Sequence, residues 1–195
     1  MRITGGIFRG RTLFPPPDVR VRPTSDKVRQ AIFNVLAHND FDIGFTLEGA
    51  RTADLFAGTG ALGIEALSYR ARYSLFVDDS PDSRALIRKN VEALQLTGVT
   101  KIWRRDATQL GPIAAGSGGP FNLVFLDPPY RLDLVPKALD SLAAGQWLAP
   151  SALLIVETAE DEPLPSPANY RLLDSRAYGD TRVSFWTPSQ QEKVL

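Results

Sequence analysis

Residues 54–63, Asp54-Leu55-Phe56-Ala57-Gly58-Thr59-Gly60-Ala61-Leu62-Gly63, decide how this chain folds. A short apolar approach ends at an acid, the glycines follow as G-x-G-x-x-G, and a helical stretch opens at Ala61 and runs to Leu67. A strand, a glycine turn and a helix in that order bring backbone close to a ligand and aim helix N-terminal N–H groups at it. Alone, the glycine pattern is a weak signal, and a dinucleotide site is the obvious rival reading.

The signals on either side alternate in the manner of a doubly wound, mostly parallel α/β sheet. Tyr73 to Val77, Val99 to Trp103 and Phe121 to Leu126 read as strands, and Ala152 to Val156 as a fifth, ending in Glu157. Ser80-Pro81-Asp82, an N-cap followed by a proline at the first helical position, starts a helix to about Leu96, and Leu132 to Ala144 reads as another. Gly116-Ser117-Gly118-Gly119-Pro120 reads as a flexible loop. Tyr170 to Ala177 and Thr181 to Trp186, joined by Tyr178-Gly179-Asp180, read as an antiparallel hairpin completing the sheet. No internal repeat is present.

An acid closes each of the first four strands: Asp54, Asp78, Asp106 shortly after the third, and Asp127. In an open parallel sheet these carboxyl ends border one crevice. NAD would bring an anionic pyrophosphate there, whereas S-adenosyl-L-methionine has no phosphate and carries a sulfonium and an ammonium, so acids favour the second ligand. We assign Asp54 to the methionine ammonium, Asp78 to the ribose hydroxyls with Asp79 as the competing neighbour, and Asp106 to the adenine amine. Each could instead cap a helix or close a turn. The expected cofactor-binding set is Asp54, Phe56, Ala57, Gly58, Thr59, Gly60, Asp78, Asp79, Asp106, Ala107 and Asp127.

Asp127-Pro128-Pro129-Tyr130 carries the chemistry. An exocyclic amine on guanine or adenine is a poor nucleophile because its lone pair is delocalised into the ring. An acceptor-only carboxylate can take one N–H, the Pro128 carbonyl could take the other, and paired prolines fix the backbone so that the two acceptors converge. Tyr130 would stack on a base removed from its helix. The expected catalytic residues are therefore Asp127, Pro128, Pro129 and Tyr130, although Pro-Pro also punctuates ordinary turns.

The chain has 195 residues, 44% hydrophobic and 23% charged, which suits one compact enzyme domain with a substantial core. There is no cysteine, which excludes disulfides, zinc-thiolate sites and a cysteine nucleophile; His38, read at a solvated helix end, cannot build a metal cluster alone. No apolar stretch approaches the roughly 20 residues of a membrane span and the start lacks a signal-peptide core, so a cytoplasmic protein is expected.

Net charge is zero, but it is divided along the chain. Residues 1–30 hold seven basic side chains against Asp18 and Asp26, a charge of +5 that the remaining residues balance at −5. Such asymmetry suggests an N-terminal arm that grips phosphates. Arg2 to Ile7 and Arg11 to Phe14 read as two short strands around Phe8-Arg9-Gly10, followed by a stiff Pro15-Pro16-Pro17 connector. Ser25 can N-cap a helix whose apolar positions Val28, Ala31, Ile32, Val35 and Leu36 follow helical spacing. The expected substrate contacts are Arg9, Arg11, Arg22, Thr24, Lys27, Arg29 and Tyr130, with Arg22, Thr24, Lys27 and Arg29 near the crevice mouth or on the solvent side. The division expected is an RNA-engaging hairpin and helix over 1–38 and a catalytic unit over 39–195.

The ordered set of motifs resembles the RsmD-like methyltransferases, which modify the exocyclic N2 of a guanine in 16S ribosomal RNA. Its carriers are Arg2-Ile3-Thr4-Gly5-Gly6 with Arg9-Gly10-Arg11, Arg22 to Arg29 leading to Ala31-Ile32-Phe33-Asn34-Val35-Leu36, Asp54 to Gly63 with Glu65-Ala66-Leu67, Asp127 to Tyr130, and Tyr178-Gly179-Asp180-Thr181. The resemblance implies a seven-stranded class I methyltransferase fold with an N-terminal extension that helps to engage RNA and close the site. It also implies S-adenosyl-L-methionine as donor and 16S ribosomal RNA, in the small subunit or an assembly intermediate, as partner; a monomer is expected, with no metal and no membrane. Two positions depart from the family pattern. Asp78 stands where glutamate is common, and Tyr69-Arg70-Ala71-Arg72 replaces an Arg-Gly-Ala turn. The rival readings are an adenine N6 or glutamine N5 methyltransferase, a noncatalytic RNA-binding protein on the same scaffold, and, more distantly, a dehydrogenase.

Overall fold

The computed structural model describes residues 1–16, 25–165 and 167–189. Its elements, in chain order, are α1 (Asp26–His38), β1 (Arg51–Leu55), α2 (Ala61–Ser68), β2 (Tyr73–Val77), α3 (Pro81–Ala93), β3 (Thr100–Trp103), β4 (Phe121–Leu126), α4 (Leu134–Ala144), β5 (Leu148–Ala159), β6 (Tyr170–Tyr178) and β7 (Thr181–Pro188). Among the described residues seven strands form one sheet, ordered β3-β2-β1-β4-β5-β7-β6. Strands β1 to β5 pair in parallel, and β7 runs antiparallel to both β5 and β6. Strand order reverses between β1 and β4, and in open α/β sheets ligands bind at the carboxyl ends beside such a switch.

Central strands covered on both faces become continuous apolar runs, and Leu75, Phe76, Val77, Leu123, Val124 and Phe125 are fully buried. One face packs Ile32, Phe33, Ile64, Ile87 and Val91 against Phe125 and Phe185. The other packs Leu139, Leu142 and Trp147 against Val124 and Leu154. Gly63 is where α2 meets β2: a Cβ there would lie 2.5 Å from both Phe76 Cε1 and Ser74 Oγ, so only glycine lets the helix sit this close.

The arm folds differently from two strands. Arg2 and Thr12 form an isolated antiparallel bridge, and Gly6–Phe8 is a 3-10 turn. The cause is close docking on the end of α2. Ser68 Oγ donates to the Gly5 carbonyl at 2.6 Å and accepts from Phe8 N at 2.9 Å. Gly6 has φ +70 with Ser68 O where a Cβ would stand, so the backbone turns away before a ladder can extend. Ser25 does cap α1, accepting from Val28 N. Pro17, Arg22 and Thr24 lie outside the described residues.

Arg29 is a correction. Expected at the crevice mouth or on the solvent side, it is 0% exposed and its Nε donates to Glu65 Oε2 at 3.0 Å. Its guanidinium also bonds the Arg2 carbonyl and Asp26. Glu65, equally buried, accepts from Thr4 N, Thr4 Oγ1 and Gly5 N at 2.7–2.8 Å. A buried charge needs partners of this quality, so the pair fastens arm, α1 and α2 together. Ile3, Leu13, Val28, Ile32 and Phe33 consequently share one core with the sheet and α2.

Other bounds shift for local reasons. Helix α4 starts at Leu134, two residues late, because Arg131 and Asp133 adopt left-handed φ of 61° and 52°. Helix α3 ends at Ala93, three residues early, and Gln95 turns left-handed. The loop at 116–120 is tied down by Lys101 Nζ to Gly116 O and Tyr73 Oη to Ser117 O.

Candidate active site

Parallel register sets the crevice. Leu55 aligns with Val77 of β2 and Leu126 of β4, so Asp78 and Asp127 leave the sheet on either side of Phe56. Asp54, one residue back, is 1% exposed and its Oδ2 accepts from Gly63 N, in the first turn of α2, at 2.9 Å. Burial pushes the Asp54 carboxyl well above its ordinary pKa; the Gly63 amide opposes this, and the charges of Asp127 and Asp78 raise it further. Their electrostatic influence on Asp54 puts the three carboxyls in one neighbourhood. Such a cluster favours a cationic ligand and repels a pyrophosphate.

The glycine turn follows the expected course. Phe56 is left-handed at φ 60, Gly58 at 54 and Gly60 at 75, and Gly60 is the N-cap of α2. Ala57 and Thr59 are buried in the turn. Asp78 holds it: Oδ2 accepts from Gly58 N at 2.8 Å and Oδ1 from Ser80 N at 2.9 Å. Asp79 is exposed next to it. Asp106 caps the short turn after β3 through one oxygen, its Oδ1 accepting from Thr108 N at 2.8 Å and Thr108 Oγ1 at 2.6 Å, while Ala107 is buried behind it. These bonds fix carboxylates at the crevice edge, and the acceptor oxygens of Asp54 and Asp78 at the ends of β1 and β2 suit a ligand that carries cationic and hydroxyl donors.

Asp127 is partly exposed, Pro128 buried, Pro129 exposed and Tyr130 half-buried. The Tyr130 hydroxyl donates to Glu157 Oε1 at 2.6 Å and lies 3.1 Å from Thr181 Oγ1. Burial and the Glu157 carboxylate push the phenol pKa upward, so it stays a hydrogen-bond donor. Beyond Tyr130 opens a cleft of about 310 Å³ lined by Pro128, Pro129, Leu132, Glu157, Thr158 and Pro163, among others. At its rim Leu132 is 57% exposed, and Arg131 pairs with Asp161 at 2.9 and 3.0 Å.

Of the arm residues, Arg9, Arg11 and Lys27 are exposed. Arg11 reaches the Ala93 carbonyl at the end of α3 at 3.2 Å. Four residues given no role from sequence matter here: Glu65, Glu157, Thr181 and Asn90. Buried Asn90 of α3 donates to Thr59 O in the glycine turn at 2.9 Å and accepts from Phe14 N at 2.7 Å, linking arm to turn. A polar residue inside an otherwise apolar helix face was the available signal for Glu65 and Asn90; Glu157 closes the fifth apolar run, and Thr181 ends the Tyr178-Gly179-Asp180-Thr181 motif.

A family model described as conserved hypothetical protein 95 matches residues 1–187. The chain is 39% identical to ribosomal RNA small subunit methyltransferase D of Escherichia coli strain K12, over 98% of this chain and 91% of that protein. The solved structure of the Escherichia coli yhhF protein superposes with a TM-score of 0.81 at 33% identity, covering 98% of this chain and 99% of its own. An RNA methyltransferase from Salinibacter ruber, solved with S-adenosyl-L-homocysteine, shares the fold with a TM-score of 0.61 at 19% identity, covering 87% and 95% of the two chains.

Proposed function

The chain belongs to the RsmD family of class I methyltransferases, and on that footing we propose that it methylates the exocyclic N2 amine of a guanine in 16S ribosomal RNA. Its methyl donor is S-adenosyl-L-methionine. The observation that carries the reading is the joining of Asp127-Pro128-Pro129-Tyr130 to an acidic crevice at the sheet's switch point, with Asp127 close enough to perturb buried Asp54.

When bound, S-adenosyl-L-methionine supplies an electrophilic methyl group on a cationic sulfonium. Asp54 takes its ammonium, Asp78 its ribose with Asp79 at the rim, and Asp106 its adenine amine, while Phe56 to Gly60 and Ala107 shape the wall. Asp127 and the Pro128 carbonyl accept the two N–H bonds of the guanine amine and turn its lone pair toward the methyl. Pro129 stiffens the hook and Tyr130 stacks on the base. No strong base would be needed, because the nitrogen becomes acidic only as the C–N bond forms and the methyl C–S bond breaks to release S-adenosyl-L-homocysteine; Asp127 would receive that proton late. Most acceleration then comes from proximity and alignment. Arg9, Arg11 and Lys27 hold RNA phosphates, with Arg22 and Thr24 on the same arm, so that 1–38 engages the RNA of a small subunit or its precursor in the cytoplasm while 39–195 performs the transfer.

Asp127→Ala should keep cofactor affinity within a few fold and lower methyl transfer by about 10²–10³-fold, the scale of losing an aligned polar contact to the reacting group. Transfer to small-subunit RNA, followed by nucleoside mass spectrometry, checks both rate and product. N2-methylguanosine is expected; N6-methyladenosine, or unchanged turnover in the variant, would overturn the assignment.

A further inference from the structure

Tyr130 is not held by packing alone. Its hydroxyl reaches across to the far strands, donating to Glu157 Oε1 at 2.6 Å beside Thr181 Oγ1 at 3.1 Å. Glu157 lies within β5 one residue beyond Val156, which aligns with Leu126 of β4, so it stands level with Asp127 where β4 ends. Thr181 opens β7 opposite Ala159 of β5, immediately after the Tyr178-Gly179-Asp180 turn. The hairpin motif, which the methyl-transfer chemistry leaves without a task, therefore delivers a hydroxyl to the tyrosine of the catalytic hook.

Glu157 is only 5% exposed, and a buried carboxylate is costly unless hydrogen-bonded. A phenylalanine at 130 with an apolar residue at 157 would pack the same space without that cost. Retaining a charge to hold a hydroxyl makes sense where the orientation of the ring matters. A stacking platform is such a case: the ring must present one face at one angle to a base whose amine is gripped by Asp127.

We propose that Glu157 and Thr181 are positioning residues that lock the Tyr130 ring in the plane that receives the target base, acting on RNA capture rather than on the cofactor. This rests on the proposed guanine methylation. Neither residue touches the reacting atoms; both act through the Tyr130 hydroxyl.

The test is steady-state methyl transfer with RNA and S-adenosyl-L-methionine varied separately, using Tyr130→Phe, Glu157→Ala, Glu157→Gln and the Tyr130→Phe/Glu157→Ala double variant. Tyr130→Phe, which keeps the ring, should raise KM for RNA about tenfold, the size of losing one hydrogen bond to a charged group, with KM for the cofactor within twofold. Glu157→Ala should show the same split. Glu157→Gln, whose amide oxygen can accept the same bond, should regain most of the loss, and the double variant should be no worse than Glu157→Ala alone. Parental KM for RNA in Tyr130→Phe, additive losses in the double variant, or an equal rise in KM for the cofactor would each overturn the proposal. Should Glu157→Ala not fold, Tyr130→Phe and Glu157→Gln decide it alone. A parent enzyme that transfers no methyl to RNA would overturn the proposed function and this inference with it; an active parent matched by Tyr130→Phe would overturn the inference only.

Discussion

Asp54 concentrates the electrostatics of the site in one side chain. It is buried and near two further carboxyls, which together outweigh the opposing bond from the Gly63 amide, so its pKa stands well above the ordinary 3.8. The folded protein then keeps a proton that the unfolded chain releases. Its contribution to stability is fully present below the unfolded-chain pKa and is lost as pH rises through the raised folded value. Melting temperature measured across pH should therefore fall over that window in the parent and not in Asp54→Asn. S-adenosyl-L-homocysteine, which retains the ammonium, should recover part of the loss in the parent and bind the asparagine variant more weakly. Parallel pH profiles for the two proteins would remove Asp54 from this role.

Elements in this fold are ended and joined by a few backbone decisions. Helix α2 closes with Ala71 N bonded to Ala66 O and Arg70 N to Leu67 O, a left-handed cap centred on Arg70 at φ 69. The turn thus forms with an arginine in the left-handed conformation that glycine adopts without strain. A side chain in that conformation costs about 1 kcal/mol, and the exposed Arg70 to Glu48 pair at 3.8 Å offsets little of it. Arg70→Gly should raise stability by about 0.5–1 kcal/mol, read as the shift in urea midpoint at constant slope; an unchanged or lowered midpoint would contradict the strain. The stretch from Arg131 to Asp133 shows the same economy, two left-handed residues delaying α4 and setting Leu132 at the cleft rim.

Across the whole molecule the charge division of the sequence acquires a shape. The basic arm is not a solvated tail: Glu65 and Arg29 fasten it inside, and removing either partner should cost about 3–5 kcal/mol by stranding a buried charge. Among the described residues of the arm, Arg2, Arg9, Arg11 and Lys27 remain outside. Reversing charge at Arg9 and Arg11 should weaken RNA binding and reduce the salt slope of log K by roughly 1 for each phosphate that is no longer neutralised. Binding isotherms over a series of salt concentrations check this, and identical slopes for variant and parent would exclude a phosphate-gripping arm. Asn90, bonded to both Phe14 and Thr59, makes the arm and the glycine turn mechanical neighbours.

Periodicity and punctuation were enough to read the alternation of strands and helices, the glycine turn and the hook at Asp127, because these depend on residues close together in sequence. The seven-stranded sheet and the acids at its strand ends were legible for the same reason. Arg29 was misplaced, since a basic residue near a helix start looks solvated until a buried carboxylate 36 residues away meets it. The arm's two strands failed likewise, because Gly5 and Gly6 answer to the end of α2 rather than to each other's neighbours. Local order along the chain fixed the strands and helices of the sheet layer and set Asp127-Pro128-Pro129-Tyr130 directly after β4. Only the tertiary structure decided which charges are buried and that Tyr130 is held by Glu157 and Thr181, since hydrogen bonds and desolvation depend on distances that close only when remote strands pair.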